Sequence, residues 1–195
     1  MTELPPSALA LFDGRYLDAW VDAQGHAAAW RVDDGAMVVQ PGRGDVFTRR
    51  PFSDFILHLE FWLPHMPGAT GQERANSGVY LQGRYELQVL DSFGQPPADD
   101  GCGALYKIAA PLVNACRRPQ VWQNLDVTFT AARAEGGRAR LVAFLNGELI
   151  HDRSIPHPTG GALPGDETAP GPLRLQDHGC PVRYRNIWLV PAAAG

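Results

Sequence analysis

The chain has little of what marks several common protein classes. It contains only three cysteines, and their odd number and wide spacing fit neither a disulfide framework nor a zinc site, so we expect buried free thiols at Cys102, Cys116 and Cys180. No apolar stretch approaches the roughly 20 residues of a membrane-spanning helix. Basic residues are not in excess, since 17 Lys and Arg stand against 21 Asp and Glu. A nucleic acid or an anionic membrane is therefore not an expected partner, because both require a basic surface.

Signals for export and for cofactors are also missing. The first residues lack the basic and long apolar regions of a secretory signal peptide, which, together with the free thiols, favours a cytoplasmic location. No glycine-rich phosphate loop occurs, so we expect no nucleotide cofactor. Four residues are able to ligate a metal, but their spacing is not diagnostic and we predict no metal site, with a divalent metal as the less favoured alternative. They are His58, Glu60, Asp177 and His178.

What the sequence does contain is a period of two. Between residues 55 and 63 the odd-numbered positions are apolar, and His58, Glu60 and Trp62 alternate with them. The same alternation occurs at 77–82 and 84–91, and no segment has a long helical period. Further strands are predicted at 37–40, 125–131, 140–146, 149–154, 173–176 and 184–190.

Turn residues separate these runs. The 21 glycines and 17 prolines fall between short apolar segments, as expected when many short strands are joined by turns. Asn146-Gly147, between two strand-like runs, predicts a tight hairpin. We therefore predict an all-β fold, an antiparallel β-sandwich, in a single domain over residues 1–195 with a core of about 11–191.

The polar faces of the predicted strands are unusual, because they carry aromatic, amide and carboxylate side chains rather than Lys, Ser and Thr. If these strands are neighbours in one curved sheet, the side chains line a concave surface. Such a surface suits sugars, because amides and carboxylates hydrogen-bond hydroxyls and aromatic rings stack on the C–H face of a pyranose. The residues are Glu60, Trp62, Tyr80, Gln82, Glu86, Gln88, Gln176 and His178.

Seven short motifs follow one another along nearly the whole chain. They are LFDG at 11–14 with LDAW at 17–20, NSGVYL at 76–81, YELQVLD at 85–91, CGALY at 102–106, WQN at 122–124, LQDHG at 175–179 and VRYRNI at 182–187. In this order they resemble the 3-keto-disaccharide hydrolase family. The resemblance implies a concanavalin-like jelly roll, a small carbohydrate substrate and hydrolysis of 3-keto-glycosides. The segment 64–73 and the long loop before Gly171 fit none of the motifs.

A ketone at C3 of a sugar makes the proton on C2 acidic. A single base can then remove that proton and expel the C1 substituent, after which water adds to the resulting enone. The reaction requires a base near C2, donors at the enolate oxygen and an acid at the departing oxygen. Glu86 and His178 are the candidates for base and acid, in either order, and Glu60 is a further catalytic candidate. The residues expected to bind substrate are Trp62, Arg74, Asn76, Tyr80, Gln82, Gln88, Lys107 and Gln176.

These assignments have alternatives. Glu86 and Gln88, two residues apart, can form a solvated strand face, and His178 can order a turn. A non-catalytic carbohydrate-binding jelly-roll module would keep the aromatic and amide contacts without a base. A conventional glycosidase would use two carboxyl groups, with Glu60 and Glu86 as the available pair. The presence of Glu60, Glu86 and His178 together favours an enzyme.

Overall fold

The computed structural model describes residues 5–134 and 136–192, which form thirteen strands and one three-residue 3-10 helix, Gly71–Glu73. Residues 1–4, 135 and 193–195 of the predicted domain lie outside the described residues. The strands are β1 (Leu9–Phe12), β2 (Trp20–Val21), β3 (Arg31–Asp33), β4 (Ala36–Val38), β5 (Val46–Thr48), β6 (Phe55–Trp62), β7 (Asn76–Leu81), β8 (Tyr85–Leu90), β9 (Gln123–Thr130), β10 (Arg140–Leu145), β11 (Glu148–Ser154), β12 (Arg174–Leu175) and β13 (Arg183–Pro191).

The strands are arranged in two antiparallel sheets. The eight-stranded sheet has the order β11-β10-β9-β6-β13-β4-β3, and β1 also pairs with β13. The five-stranded sheet has the order β2-β5-β12-β7-β8. In this second sheet the two-residue strand β12 sets Arg174 opposite Tyr80 of β7. The predicted all-β antiparallel sandwich is confirmed.

The core lies between the two sheets. The odd-numbered residues of β6 are all buried, as the period of two predicts. Tyr85 of β8 packs against Phe129 of β9 with ring centroids 5.5 Å apart. The Tyr184 hydroxyl of β13 donates a 2.7 Å hydrogen bond to the Ser77 hydroxyl of β7. Both contacts join one sheet to the other, so each sheet has one inner face and one outer face.

Local signals predict some connections better than others. The hairpin at Asn146-Gly147 is confirmed, with φ of 55° and 86° at the two residues, as a type I′ turn requires. Strands β1, β2, β3 and β5, of two to four residues each, were not predicted, whereas the equally short β4 and β12 overlap the predicted runs 37–40 and 173–176. The three cysteines are buried and unpaired, as expected. In the described part of the chain, no helix has the length and apolar character needed to cross a membrane.

Candidate active site

A cavity of about 220 Å³ lies on the outer face of the five-stranded sheet. Tyr80 of β7 and Glu86 of β8 are cross-strand partners, and both point away from the buried core residues that flank them. Strand residues form the floor and loop residues form the walls. The cavity is lined by Asn76, Tyr80, Glu86, Gln88 and Gln176 from or next to the strands, and by Gln72, Tyr106, Gly160, Gly161 and His178 from loops.

Two loops fold against β8, the edge strand of this sheet. The loop after β8 turns back alongside it, and Gly103 N–H donates to the Gln88 carbonyl at 2.7 Å. Further along, Tyr106 N–H donates to the Glu86 carbonyl at 3.1 Å, which places Tyr106 in the cavity wall. From the loop after β11, the Thr159 hydroxyl accepts the Glu86 N–H at 2.9 Å. Both backbone groups of Glu86, its N–H and its carbonyl, are therefore hydrogen-bonded to these loops.

Glu86 is the acidic group of the cavity, and its side chain is almost fully buried, with 3% exposure. Its carboxyl group lies over Gly78 of β7, where no side chain competes for the space. Burial raises the pKa of Glu86 to about 7, and Asp45 adds to the rise, while the Tyr80 hydroxyl and the Arg174 charge oppose it. Glu86 can therefore gain or lose a proton near neutral pH, as a general acid or base must.

Arg174 of β12 supports one wall of the cavity. Its guanidinium lies 4.1 Å from the centroid of the Tyr80 ring and forms an ion pair with Asp45, with 2.6 Å between Nε and Oδ2. It also donates to the Gly161 carbonyl at 2.6 Å, which ties the loop after β11 to the sheet. Burial raises the pKa of Tyr80 well above its ordinary value, so its hydroxyl remains protonated at neutral pH.

Three amide side chains in the cavity have unpartnered oxygens. Within the described residues, Asn76 Oδ1, Gln88 Oε1 and Gln176 Oε1 are buried and accept no hydrogen bond. Buried polar atoms in proteins are nearly always paired. These three acceptors therefore point to a ligand that carries hydrogen-bond donors.

The structure brings together six of the residues that the sequence singled out. Gln72, Tyr106, Gly160 and Gly161 were missed. Tyr106 lies within the CGALY motif, so a signal for it existed, whereas Gln72 lies in the segment that matches no motif. The six predicted residues at the cavity are Asn76, Tyr80, Glu86, Gln88 and Gln176, and the exposed His178 at its edge.

Glu60 and Trp62 do not lie at this cavity, so the prediction of one shared concave face was wrong for them. Strand β6 belongs to the eight-stranded sheet, whose outer face is on the opposite side of the sandwich. Glu60 accepts hydrogen bonds from Arg185 at 2.7 Å and Asn186 at 3.0 Å. Burial alone would raise the pKa of Glu60, but these bonds bring it below its ordinary value. The Trp62 ring packs instead against the Arg183 guanidinium, with 5.7 Å between the ring centroid and Cζ.

Three predicted binding residues also do not line the cavity. Gln82 is fully buried in the turn after β7, with φ of 52°, and donates to a backbone carbonyl just before β6. Arg74 is paired with Asp91 at 2.5 Å. Lys107 is exposed and paired with Asp100 at 2.6 Å, which raises the pKa of Lys107. Nearer partners therefore engage the charges of Arg74 and Lys107.

The four residues considered as metal ligands are divided between the sheets. His58 and Glu60 lie on β6, and His58 is paired with Asp126 at 2.6 Å. Asp177 and His178 follow β12 on the other sheet. Across residues 5–134 and 136–192, no three His, Cys, Asp or Glu side chains are grouped so as to hold a metal ion.

The fold and the cavity are those of a carbohydrate-active, glycoside-hydrolase-like protein, and comparison with known proteins identifies the family. The sequence profile of the 3-keto-alpha-glucoside-1,2-lyase-like domain matches residues 7–190. A glycosyl hydrolase candidate from Parabacteroides distasonis is 35% identical, with a TM-score of 0.86, over 96% of this chain and 84% of its own. The chain belongs to the 3-keto-alpha-glucoside-1,2-lyase-like family.

More distant structures share the fold. A second glycosyl hydrolase candidate from the same organism is 21% identical, with a TM-score of 0.71, over 95% of this chain and 94% of its own. The alginate lyase Aly36B is 11% identical, with a TM-score of 0.51, over 96% of this chain and 98% of its own. A search of curated protein sequences gave no match.

Proposed function

We propose that this protein cleaves the glycosidic bond of 3-keto-glycosides, with Glu86 as the base that removes the C2 proton and His178 as the acid that protonates the departing oxygen. The observation that carries the proposal is the state of Glu86: a buried carboxyl group with a pKa of about 7, on the floor of a cavity rich in hydrogen-bond acceptors. A base whose pKa lies near the working pH is well matched to proton abstraction from carbon.

The reaction balances without a redox cofactor. Glu86 takes the C2 proton, and the C–H electrons form an enolate with the C3 ketone. The enolate collapses to a C1–C2 double bond as the C1–O bond breaks, and the leaving oxygen takes a proton from His178. Water then adds at C1 and a proton returns to C2, which yields the 3-keto sugar and the free alcohol.

Tyr106 is our candidate for the donor to the enolate oxygen. Its backbone is bonded to that of Glu86, and its side chain lines the same cavity. A phenol provides one O–H donor, and a donor aimed at developing negative charge is among the most effective contributions to catalysis. Arg74 and Lys107, which the sequence predicted as substrate-binding residues, are paired with Asp91 and Asp100.

The supply of carboxyl groups favours this mechanism over conventional glycoside hydrolysis. A conventional glycosidase places two carboxyl groups about 5–9.5 Å apart around the scissile bond. Among the described residues that line the cavity, Glu86 is the only acidic one. Glu60 is on the other sheet, and Asp45 is held by Arg174 and by the Asp177 N–H at 2.8 Å.

The dimensions of the cavity agree with a small carbohydrate. Sites for drug-sized ligands occupy roughly 300–1,000 Å³. At about 220 Å³ this cavity is smaller, which suits a single sugar ring with the departing group outside. The ring's hydroxyls would meet the unpartnered amide oxygens.

The test compares a 3-keto-glucosyl disaccharide with its unoxidised parent, with monosaccharide release as the measurement. We expect release from the oxidised sugar alone, and a loss of about 10²-fold or more in kcat for Glu86→Gln, the usual contribution of a positioned acid or base. Glu60→Gln, on the opposite face, is the matched control and should retain turnover once its melting temperature confirms folding. Equal cleavage of the unoxidised sugar would support a conventional glycosidase, and binding without cleavage would support a carbohydrate-binding module.

A further inference from the structure

Gln72 lies in the short helix Gly71–Glu73 between β6 and β7, in the segment outside the seven motifs. Its Nε2 donates to the Asp100 carbonyl at 2.9 Å. A backbone carbonyl can only accept a hydrogen bond, so this contact determines which end of the Gln72 amide is nitrogen and which is oxygen. The Oε1 atom must therefore point the other way, toward the cavity residues.

Two cavity amides use that oxygen as their acceptor. Gln88 Nε2 donates to Gln72 Oε1 at 2.8 Å, and Asn76 Nδ2 donates to it at 3.2 Å. Asn76 Nδ2 also donates to the Gln72 backbone carbonyl at 2.9 Å. If either amide were turned over, two oxygens would face each other, so both orientations are determined by Gln72.

We infer that Gln72 is a positioning residue that sets the hydrogen-bonding polarity of one cavity wall and thereby selects the sugar. With their NH₂ groups held by Gln72, Asn76 and Gln88 keep Oδ1 and Oε1 without a partner among the residues that the structure describes. Gln176 adds a third free oxygen, since its Nε2 contacts the Tyr80 hydroxyl at 3.4 Å. The wall therefore presents three unpartnered acceptor oxygens.

This polarity defines the class of sugar. Hydroxyl groups can donate to the wall, whereas a ketone, a carboxylate or a fluorine atom only accepts and is disfavoured there. The ketone of a 3-keto sugar must then face the side with Tyr106 and His178, while the remaining hydroxyls face Asn76 and Gln88. The site selects neutral sugars over uronic acids, because a carboxylate would meet three oxygens and the Glu86 carboxyl group.

The inference rests on the proposed function for the identity of the sugar, but its test does not depend on turnover. The probes are methyl α-glucoside and its derivatives with hydrogen or fluorine in place of the hydroxyl at C2, C4 or C6, with binding followed by ligand-observed NMR. For at least one position, the deoxy and fluoro derivatives should bind wild type equally weakly, about 10-fold below the parent, as expected for a lost hydroxyl donor. Methyl glucuronide should bind more weakly than methyl glucoside.

Gln72→Met keeps the length of the side chain and removes its hydrogen-bonding groups, so Gln88 becomes free to turn its NH₂ toward the sugar. The fluoro derivative should then bind nearly as well as the parent. Gln88→Leu should reduce the parent-to-fluoro ratio at the same position, which tests the inference even if Gln72→Met folds poorly. Where both variants fold, the double variant should reduce the ratio no further. Glu73→Gln, on the same turn and exposed, is the control and should keep the wild-type ratio.

The outcomes separate the two ideas. The inference is overturned if wild type binds none of the neutral probes, if it tolerates fluorine at every position, or if Gln72→Met leaves the ratio unchanged. A correct ratio pattern without cleavage of a 3-keto disaccharide would refute the proposed function and leave the inference standing. Cleavage of the 3-keto disaccharide by a protein that tolerates fluorine at every position would support the proposed function and refute the inference.

Discussion

Gly78 and Glu86 lie on adjacent strands of the five-stranded sheet, and the Glu86 carboxyl group occupies the space that a side chain at position 78 would fill. A Cβ atom on Gly78 would lie 3.1 Å from Glu86 Cδ and closer still to Oε1. Gly78 does not have a positive φ, so its missing side chain matters for space rather than for backbone conformation. The position of the proposed catalytic base therefore requires a glycine at position 78.

Gly78→Ala should therefore reduce turnover while leaving the fold intact. The nearest obstruction is the end of the flexible Glu86 side chain, so the carboxyl group can rotate away, but it leaves its position on the cavity floor. The Tyr80 ring, with Cε2 3.1 Å from the added Cβ, must also shift slightly. A displacement of about 1 Å can cost about 10²-fold in rate, and we expect a loss of that order in kcat. Gly101→Ala, where an added Cβ meets only ordinary contacts at 3.5 Å or more, is the control. Unchanged turnover of folded Gly78→Ala would argue against Glu86 as the base.

Glu86→Gln should stabilise the protein, and only at higher pH. The folded-state pKa of about 7 lies above the ordinary value of 4.5, so the folded protein holds a proton that the unfolded chain releases. Stability therefore falls as the pH rises from about 4.5 to 7, by roughly 3 kcal/mol at most. Urea titrations should give Glu86→Gln a higher free energy of unfolding than wild type at pH 8 and a similar one at pH 4. Equal stability at both pH values would contradict the raised pKa.

Removing the charge of Asp45 and removing that of Arg174 should shift the pH dependence of kcat/KM in opposite directions. If Glu86 acts as the base and His178 as the acid, the plot of kcat/KM against pH is bell-shaped, and Glu86 sets the midpoint of its rising limb near pH 7. Asp45 raises the pKa of Glu86 and Arg174 lowers it, so Asp45→Asn should shift the midpoint down and Arg174→Gln should shift it up. The measurement is kcat/KM between pH 5 and 9. Shifts in the same direction would indicate a change in cavity shape rather than in charge.

The role of His178 should depend on the leaving group. If this side chain protonates the departing oxygen, His178→Ala should slow cleavage of a 3-keto alkyl glucoside by about 10²-fold or more. A 4-nitrophenyl group leaves without protonation. The rate of cleavage of the 3-keto 4-nitrophenyl glucoside should therefore fall much less in His178→Ala. Rates for the two substrates, measured side by side, test the assignment. An equal loss on both would place His178 in binding or in C2 chemistry.

Removal of the C2 proton should lead to incorporation of solvent deuterium at C2. Cleavage in D₂O should give a 3-keto monosaccharide with deuterium at C2, because the proton returned to C2 comes from solvent. Displacement at C1 would leave the original hydrogen in place. The free product can exchange slowly, so a control with product alone is followed by the same NMR measurement. An early product without C2 label, together with comparable cleavage of the unoxidised glycoside, would overturn the elimination mechanism.

Much of this architecture could be predicted from the order of residues. A period of two assigns each strand residue to one of two faces, which is why β6, β7 and β8 and their buried faces were predicted correctly. The Asn-Gly hairpin and the seven motifs are equally local signals. Alternation places Glu86 and Gln88 on one polar face, but their choice as site residues depended on the resemblance of the flanking motifs, since a solvated strand face has the same pattern.

Only the tertiary structure decided which faces meet. Alternation assigns Glu60 and Glu86 to polar faces but contains no information about sheet membership, and the two residues lie on opposite sides of the sandwich. Gln72 was not predicted for a related reason: its partner is the carbonyl of Asp100, 28 residues away in the chain, and a loop-to-loop contact of that kind has no periodic pattern. The raised pKa of Glu86 likewise comes from burial under loops that are distant in sequence and close in space.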